Sequence, residues 1–198
     1  MKDLKFPLNF TFNISTISND FAAKDSSGVT IAYVKQKMFK LKDDIVIYSN
    51  ENQTELNYRI NADRWIDFSA AYSMKDKNGN ELGKIARKGW KSIWKTEYEL
   101  IDQNKKLQYH IREDNAWVKV GDSLLGQIPV LNFFTGYLLN PSYSVIDLKN
   151  KPIIKMKKEA SFFGRKFQLT KLNDIDFDDQ ERIVLGLMMM VLLERRKG

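Results

Sequence analysis

The feature that most constrains the fold is an apolar run near the C-terminal end of the sequence. Residues 183–193 are Ile-Val-Leu-Gly-Leu-Met-Met-Met-Val-Leu-Leu, with no polar side chain among them. Leu and Met favour helix, and a helix that is apolar on every side has to be enclosed by other elements. Eleven residues are too few to cross a bilayer, which needs about 20. The run therefore predicts a buried helix inside a core.

Charged residues bracket this run in the order that stabilises a helix. Five acidic residues precede it and three basic residues follow it: Asp174, Asp176, Asp178, Asp179 and Glu181, then Arg195, Arg196 and Lys197. Acidic side chains are favourable at the N-terminal end of a helix dipole and basic ones at the C-terminal end. Asp178 with Glu181 three residues later has the spacing of a capping box. We predict a central helix over residues 178–194.

Most of the remaining chain consists of short runs in which apolar and polar residues alternate, the pattern of half-buried strands. At the N-terminal end, Phe6, Leu8, Phe10 and Phe12 recur at every second position. Asn78-Gly79 is typical of a tight hairpin turn, because both residues tolerate positive φ. Further strands are predicted over residues 29–34, 45–48, 56–60, 68–74, 81–86, 96–101 and 106–112.

The two patterns together predict the fold. Regularly spaced strands separated by turn residues are typical of an antiparallel sheet that closes on itself, and such a sheet can enclose the apolar helix. We therefore predict a mainly β fold: a closed antiparallel β-barrel enclosing a C-terminal hydrophobic α-helix. A chain of 198 residues is expected to form a single domain, here residues 1–198, with residues 1–20 as an N-terminal strand or extension.

A weak internal repeat relates two parts of the predicted sheet. Tyr72-Ser-Met-Lys-Asp76 aligns with Tyr143-Ser-Val-Ile-Asp147 at an offset of 71 residues, and the same offset places Lys84 on Lys155 and Arg87 on Lys158. Each copy consists of an aromatic strand, an Asp turn and a strand that ends in basic residues. Two related half-sheets in one barrel would produce this pattern; chance similarity in a strand-rich chain is the alternative.

These elements together resemble the tubby-like superfamily, and within it the LURP-one-related proteins and the phospholipid scramblases. The resemblance is carried by the two Tyr-to-Asp segments, by Gly79 and by the acidic-then-apolar residues 175–187, and it covers roughly residues 21–198. It implies a barrel of about twelve strands around a central hydrophobic helix. It also implies phosphoinositide binding, as in tubby proteins, or lipid scrambling, as claimed for scramblases. The palmitoylated cysteine cluster of animal scramblases has no counterpart, because the chain contains no Cys.

The strand ends of the repeat are rich in cations. Residues 149–171 contain eight Lys and Arg residues and one Glu, a local net charge of +7 (8 − 1) that equals the net charge of the whole chain. Charge concentrated in this way attracts anions. If Ile154 and Met156 face the core, Lys155 and Lys157 face outward, and two such clusters brought close could hold a phosphate-bearing headgroup. The candidate site for an anionic headgroup consists of Lys84, Arg87, Lys88, Lys155, Lys157 and Lys158.

Other uses of the same charges remain open. Lysines on edge strands can simply be solvated and hinder aggregation, and a basic face can also bind a protein or a nucleic acid. Trp90 and Trp94 lie among four cations, which are Arg87, Lys88, Lys91 and Lys95. Aromatic rings between cations can stack on bases. No RNA-recognition, zinc-finger or helix-turn-helix motif accompanies them, so nucleic acid is the less favoured partner.

The acidic segment before the helix has part of the pattern of a calcium loop. Asp174, Asp176 and Asp178 match three ligand positions of an EF-hand, but Asp179 stands where the loop needs Gly and Leu185 where it needs Glu. Helix capping is the simpler explanation of these acids. A weak calcium site stays a hypothesis, because scramblases are said to bind calcium in the segment before this helix.

The residue types that are scarce exclude several functions. With no Cys and one His, the chain has no disulfide, no zinc-thiolate site and no His pair for a metal. His110 falls on the polar face of a predicted strand, and no nucleophile elbow or phosphate loop is present. We expect a non-enzymatic binding module without a cofactor or metal.

The uncharged residues 123–146 are interrupted by Gly, Pro and Asn and make a poor membrane span. We therefore predict a cytoplasmic protein that associates reversibly and peripherally with anionic membrane lipid.

Overall fold

A closed sheet of twelve antiparallel strands forms the wall of the molecule. The computed structural model describes residues 1, 4–13, 19–36, 44–63, 71–88, 97–114, 142–159 and 166–195. The strands are β1 (Leu8–Phe12), β2 (Asp20–Lys24), β3 (Thr30–Gln36), β4 (Asp44–Tyr48), β5 (Leu56–Ala62), β6 (Ala71–Asp76), β7 (Glu81–Arg87), β8 (Glu97–Asp102), β9 (Leu107–Glu113), β10 (Ser142–Asp147), β11 (Pro152–Glu159) and β12 (Lys166–Lys171). Each strand pairs with the next along the chain, and β1 closes the barrel by pairing with β12. The predicted closed antiparallel barrel is confirmed.

The apolar run of the sequence is a helix in the core. Among the described residues one helix is present, α1 (Phe177–Arg195), beginning and ending one residue outside the predicted range. Its side chains from Ile183 to Leu192 are almost entirely shielded from solvent, including Met188, Met189 and Met190. Burying a Leu, Ile or Met side chain stabilises a fold by roughly 1.5–3 kcal/mol. The enclosed helix therefore accounts for much of the core.

One glycine allows the helix to approach the wall closely. A Cβ atom on Gly186 would lie 2.5 Å from Leu100 Cδ2 of β8, which is too short for two carbon atoms. The apolar run thus tolerates Gly despite its low helix propensity, because a larger residue would require the buried Leu100 side chain or α1 itself to shift.

Buried tyrosines tie both ends of α1 to the wall. The hydroxyl of Tyr109 donates a hydrogen bond to Asp179 Oδ2 at 2.6 Å, and that of Tyr98 donates to Glu194 Oε1 at 2.6 Å. Burial, followed by these carboxylates, raises the pKa of both phenols far above the ordinary value for Tyr. The tyrosines therefore stay protonated, and each donates a hydrogen bond to an acidic residue of the helix.

The predicted capping box does not form. Because α1 begins at Phe177, Asp178 lies in the first turn of the helix and not at the capping position before it. Glu181 does not reach back to the helix start: its Oε1 accepts a hydrogen bond from Tyr58 of β5 at 2.5 Å. The acidic residues of this turn still carry the charge that favours a helix N-terminus.

Four hairpin turns at one end of the barrel share a single design. In each, an Asp carboxylate oxygen accepts the backbone N–H groups two and four residues later, and the four aspartates are Asp25, Asp76, Asp102 and Asp147. Gly79 has φ +89°, but Asn78 does not have positive φ; the hairpin lies where Asn78-Gly79 predicts it, but its turn is not the two-residue Asn-Gly type. We call the end of the barrel that carries these four turns the turn end, and the opposite end the far end. Helix α1 begins at the turn end and ends at the far end.

Candidate anion-binding surface

The six predicted site residues lie on two strands that are not neighbours. The β7 group consists of Lys84, Arg87 and Lys88, and the β11 group consists of Lys155, Lys157 and Lys158. Strands β8, β9 and β10 lie between the two groups, a separation of about 19 Å along the wall at ~4.8 Å per strand. Both groups lie toward the far end. The structure does not bring them into one cradle, so each forms a separate surface.

Residues related by the 71-residue offset occupy equivalent positions in the barrel, because they pair with neighbouring strands in the same register. Three residue pairs recur: Tyr72–Ile85 and Tyr143–Met156, Ser73–Lys84 and Ser144–Lys155, Arg87–Tyr98 and Lys158–Phe167. Strands β5–β8 and β9–β12 are therefore two copies of one four-stranded unit. The repeat reflects the architecture of the barrel and not chance similarity.

A third copy occupies strands β1–β4. Phe21 precedes Asp25 by the same four residues that separate Tyr72 from Asp76, and Ala22 lies opposite Tyr33 as Ser73 lies opposite Lys84. The sequence alignment missed this copy because Phe replaces Tyr and Tyr33 stands where the other copies have Lys. The signal that could have found it is an aromatic residue four positions before each turn Asp.

The repeated lysines have acidic partners at equivalent places. Lys84 Nζ lies 2.6 Å from Asp63 Oδ2, and Lys155 Nζ lies 3.3 Å from Asp114 Oδ2. Each of these aspartates directly follows a strand, β5 or β9. The hydrogen bond with Asp63 raises the pKa of Lys84. Both lysines thus belong to ion pairs of the wall as well as to the candidate site.

The Asp114 carboxylate is held by three donors. Burial raises its pKa, but hydrogen bonds from the hydroxyls of Ser142 and Ser144, each 2.8 Å long, and the Lys155 ammonium outweigh burial. The net effect is a pKa below the ordinary value for Asp. Asp114 is therefore a stable anion that fixes Lys155 in place.

Acidic residues neutralise much of the β7 group. Lys88 Nζ lies 3.5 Å from Glu97 and 3.6 Å from Glu99, both on β8. Arg87 shares the inward register of buried Ile85 and lies opposite buried Tyr98. Its Nε atom is buried and has no hydrogen-bond partner among the described residues. Little uncompensated positive charge is left on the outer side of this group.

His110 lies in the same acidic surroundings. Its Nδ1 atom is 3.4 Å from Glu97 Oε1, and only 14% of its side chain is exposed. The prediction that His110 lies on the outer face of β9, away from the inward Tyr109 and Ile111, agrees with its neighbours. The side chain is more enclosed than a surface residue because Glu97 of the next strand covers it.

The β11 group has a different charge balance. Lys157 is exposed and forms no ion pair with a described residue; its neighbours across the sheet are Ser142 and Gln168. Lys166 on β12 is also exposed and forms no ion pair within the described ranges; it lies two residue pairs further toward the far end, opposite Glu159. Lys158 shares the inward register of Met156. We call the outward residues of these two strands the β11–β12 face; its cations are Lys155, Lys157 and Lys166.

Other candidate chemistry receives less support. Among the described residues, no group of three or more His, Asp or Glu side chains has the geometry of a metal site. Asp174 forms an ion pair with Lys171 at 2.9 Å. Trp90, Trp94 and residues 123–141 of the uncharged stretch lie outside the described residues. No helix of the described part is long and apolar enough to cross a membrane.

A model of the LURP-one-related family matches residues 30–170. The chain belongs to the LURP-one-related family. The match extends from β3 to β12 and includes all six predicted site residues, while β1, β2 and α1 complete the barrel outside it. A closed barrel around one helix is also consistent with the tubby-like superfamily. No curated protein and no solved structure matches the chain.

Proposed function

We propose that the protein is a non-enzymatic module that binds anionic phospholipid headgroups reversibly at a membrane surface, through the β11–β12 face. The observation that carries this proposal is the charge balance of that face. Lys157 has only uncharged neighbours across the sheet, and Lys166 forms no ion pair with a described residue although Glu159 lies opposite it. Lys84 and Lys88, by contrast, each contact two acids. Uncompensated cations are the ones available to a phosphate.

The chemistry around Lys157 suits a phosphate-bearing ligand. The neighbouring outward side chains are hydroxyls and amides, from Ser142, Gln168 and Asn9. The amide N–H groups of Gln168 and Asn9 can donate hydrogen bonds to phosphate oxygens while Lys157 supplies charge. The hydroxyl of Ser142 already donates to Asp114. The family membership agrees with this choice of ligand, since the tubby-like resemblance implies phosphoinositide binding.

The expected strength is modest. A Lys or Arg close to an anionic leaflet contributes about 1 kcal/mol, so the few cations of this face would hold the domain reversibly. Such binding weakens as salt rises. The six residues of the sequence prediction stay candidates, with Lys155, Lys157 and Lys166 of the β11–β12 face expected to contribute most.

Vesicle co-sedimentation tests the proposal. The wild type and a variant with Lys155, Lys157 and Lys158 all changed to Glu are mixed with neutral, phosphatidylserine or phosphoinositide vesicles at low salt. We expect the wild type to pellet with the anionic vesicles and the variant to stay in solution. A matched control changes Lys75, Lys77 and Lys106 to Glu; these lysines are exposed and lie outside the β11–β12 face, and the net charge changes equally.

Competition separates the remaining alternatives. A short oligonucleotide that displaces the wild type from vesicles at equimolar phosphate would favour a nucleic-acid ligand on the same face. If the wild type pellets with no anionic vesicle at low salt, the lipid proposal is wrong. The basic face would then be solvated surface or a contact for a protein.

A further inference from the structure

The exposed large hydrophobic side chains of the described residues all lie at the turn end. They are Val29, Leu148, Leu172 and Phe177, with exposed fractions of 59%, 58%, 46% and 42%. Val29 and Leu148 lie in Asp turns, Leu172 follows β12, and Phe177 begins α1. Single exposed hydrophobic residues are ordinary on protein surfaces, so the argument rests on how two of them are grouped.

Leu148 and Leu172 lie on adjacent segments of the rim. Leu148 is in the turn between β10 and β11, and the backbone N–H of Leu172 donates to Ile153 O at the start of β11, at 2.8 Å. Asn173 Nδ2 donates to Pro152 O at 2.7 Å and holds the same two segments together. Pro152, at the start of β11, is also exposed. We call Leu148, Pro152 and Leu172 the apolar edge.

Cations surround the apolar edge. Lys149 and Lys151 are exposed, and the acid nearest to them in the chain, Asp147, is occupied by accepting their backbone N–H groups at 2.8 Å each. Asp174, the next acid along this rim, is paired with Lys171 and interacts with Lys151. Exposed Asp176 and Asp178 lie further on, where α1 begins. The apolar edge also adjoins the β11–β12 face, because β11 begins and β12 ends at this edge. An apolar edge with cations beside it complements an anionic bilayer.

We infer that the apolar edge inserts into the headgroup region of an anionic bilayer, so that the barrel docks with its β10–β12 side and its turn end toward the membrane. This inference rests on the proposed lipid binding and adds an orientation to it. The cations of the β11–β12 face then contact headgroups while Leu148 and Leu172 leave water.

The absence of Cys makes the test direct. A single Cys at position 148 can carry an environment-sensitive fluorophore without a competing thiol. The variants are Leu148→Cys and, as a matched control, Val29→Cys: Val29 has nearly the same exposure, lies in another Asp turn and is four strand spacings away around the rim. Vesicles contain phosphatidylcholine alone or with a phosphoinositide, and some carry brominated acyl chains as quenchers.

We expect the label at position 148 to shift to shorter wavelength and to be quenched by brominated phosphoinositide vesicles, while the label at position 29 stays unchanged. Changing both Leu148 and Leu172 to Ser is expected to weaken vesicle binding about tenfold or more, with the Val29→Ser variant unaffected.

Three results would overturn the inference. If the protein pellets with the vesicles but the label at position 148 does not respond, the orientation is wrong and the proposed lipid binding stands. An equal response at positions 29 and 148 would mean a contact of the whole turn end. If neither pelleting nor a response occurs, both the inference and the proposed function are wrong.

Discussion

Strands β5–β8 and β9–β12 are two copies of one structural unit with different outer surfaces. Their registers match pair by pair, and each places a Lys beside an Asp that follows the unit's first strand, Asp63 in one unit and Asp114 in the other. Around β7, the acids Glu81, Glu97 and Glu99 accompany the lysines. Around β11, Lys157 has only uncharged neighbours across the sheet, and Lys166 lies opposite Glu159 without forming an ion pair.

The difference shows which part of the repeat is structural and which part is available for binding. Inward positions and the Asp–Lys pair recur in both units. Outward positions are free to vary, and there the two units differ in charge. The repeat alone would assign both groups of lysines to one site; the charge balance favours the β11–β12 face.

The largest expected effect on stability comes from substituting a glycine of β7. At this position, which faces the inside of the barrel, the two units have different residues. Gly83 of β7 is equivalent to Ile154 of β11 by the 71-residue offset. Gly83 has φ +142°, and a Cβ there would lie 2.3 Å from Ile101 O and 3.0 Å from the Arg182 side chain, which donates to Leu82 O. We expect Gly83→Ala to lower the free energy of unfolding by roughly 3 kcal/mol, measured by denaturant titration.

Gly28→Ala provides the control for this variant. Gly28 also has positive φ, at +79°, but nothing lies within 4 Å of its Cβ position. Only backbone strain then remains, with an expected loss of about 1 kcal/mol. Equal losses in the two variants would show that the space beside Arg182 does not limit residue 83.

The next largest effect concerns the two unpaired lysines. Changing both Lys157 and Lys166 to Gln removes two cations that each contribute about 1 kcal/mol near an anionic leaflet. We expect the affinity for phosphoinositide vesicles to fall roughly thirtyfold at low salt, with no change in thermal stability. Titration of fixed protein with increasing vesicle concentration measures the effect. Lys75→Gln with Lys77→Gln is the control, and an equal loss there would argue for binding by net charge alone.

A smaller effect is expected from the acid of the second unit. The pKa of Asp114 lies below its ordinary value because hydrogen bonds from Ser142, Ser144 and Lys155 overcome burial. The stability it contributes is therefore present above the unfolded-state pKa, about 3.9, and is lost as the pH falls through the folded-state pKa. Asp114→Asn is expected to lower the free energy of unfolding by about 1 kcal/mol at neutral pH.

The pH dependence distinguishes this explanation from a general loss of packing. The difference between wild type and Asp114→Asn should shrink below about pH 4, where the carboxylate of the unfolded chain is already protonated. Denaturant midpoints measured from pH 7 to pH 3 test this. The fully exposed Asp174 offers a control, since Asp174→Asn is expected to leave the midpoint at pH 7 unchanged. A constant difference at all pH values would contradict the account.

The smallest effect is expected on the β7 side. Lys88 lies between Glu97 and Glu99 and about four strand spacings from β11. We expect Lys88→Gln to change vesicle affinity by less than about twofold, because surface ion pairs of this kind are weak and largely screened. A loss as large as that of a Lys157→Gln variant would mean that both units contact the membrane.

The fold was predictable because its determinants are local in the sequence. Alternation of apolar residues indicated the strands, and the eleven apolar residues of 183–193 indicated an enclosed helix. The helix start was off by one residue, and Glu181 bonds Tyr58 instead of capping. The capping prediction failed because Tyr58, which is distant in the sequence, binds the Glu181 carboxylate. The residues next to Glu181 give no indication of this contact.

The candidate site was predictable only in part. The outward direction of Lys155 and Lys157 follows from the burial of Ile154 and Met156, which period-two alternation indicates. The separation of the β7 and β11 groups depends on which strands pair, and the partners of Lys84 and Lys155 come from other strands of the unit. Lys166 belongs to the β11–β12 face because β12 lies beside β11. These contacts are set by topology.

Lysine footprinting by mass spectrometry tests the central claim most directly. An amine-reactive reagent is added to the wild type with phosphoinositide vesicles or with phosphatidylcholine vesicles, and labelling rates are compared for individual lysines. The account predicts that Lys157 and Lys166 are protected by phosphoinositide vesicles alone, while Lys75, Lys77 and Lys88 react at unchanged rates. Equal protection of all five lysines, or protection of Lys88 without Lys157, would contradict binding through the β11–β12 face.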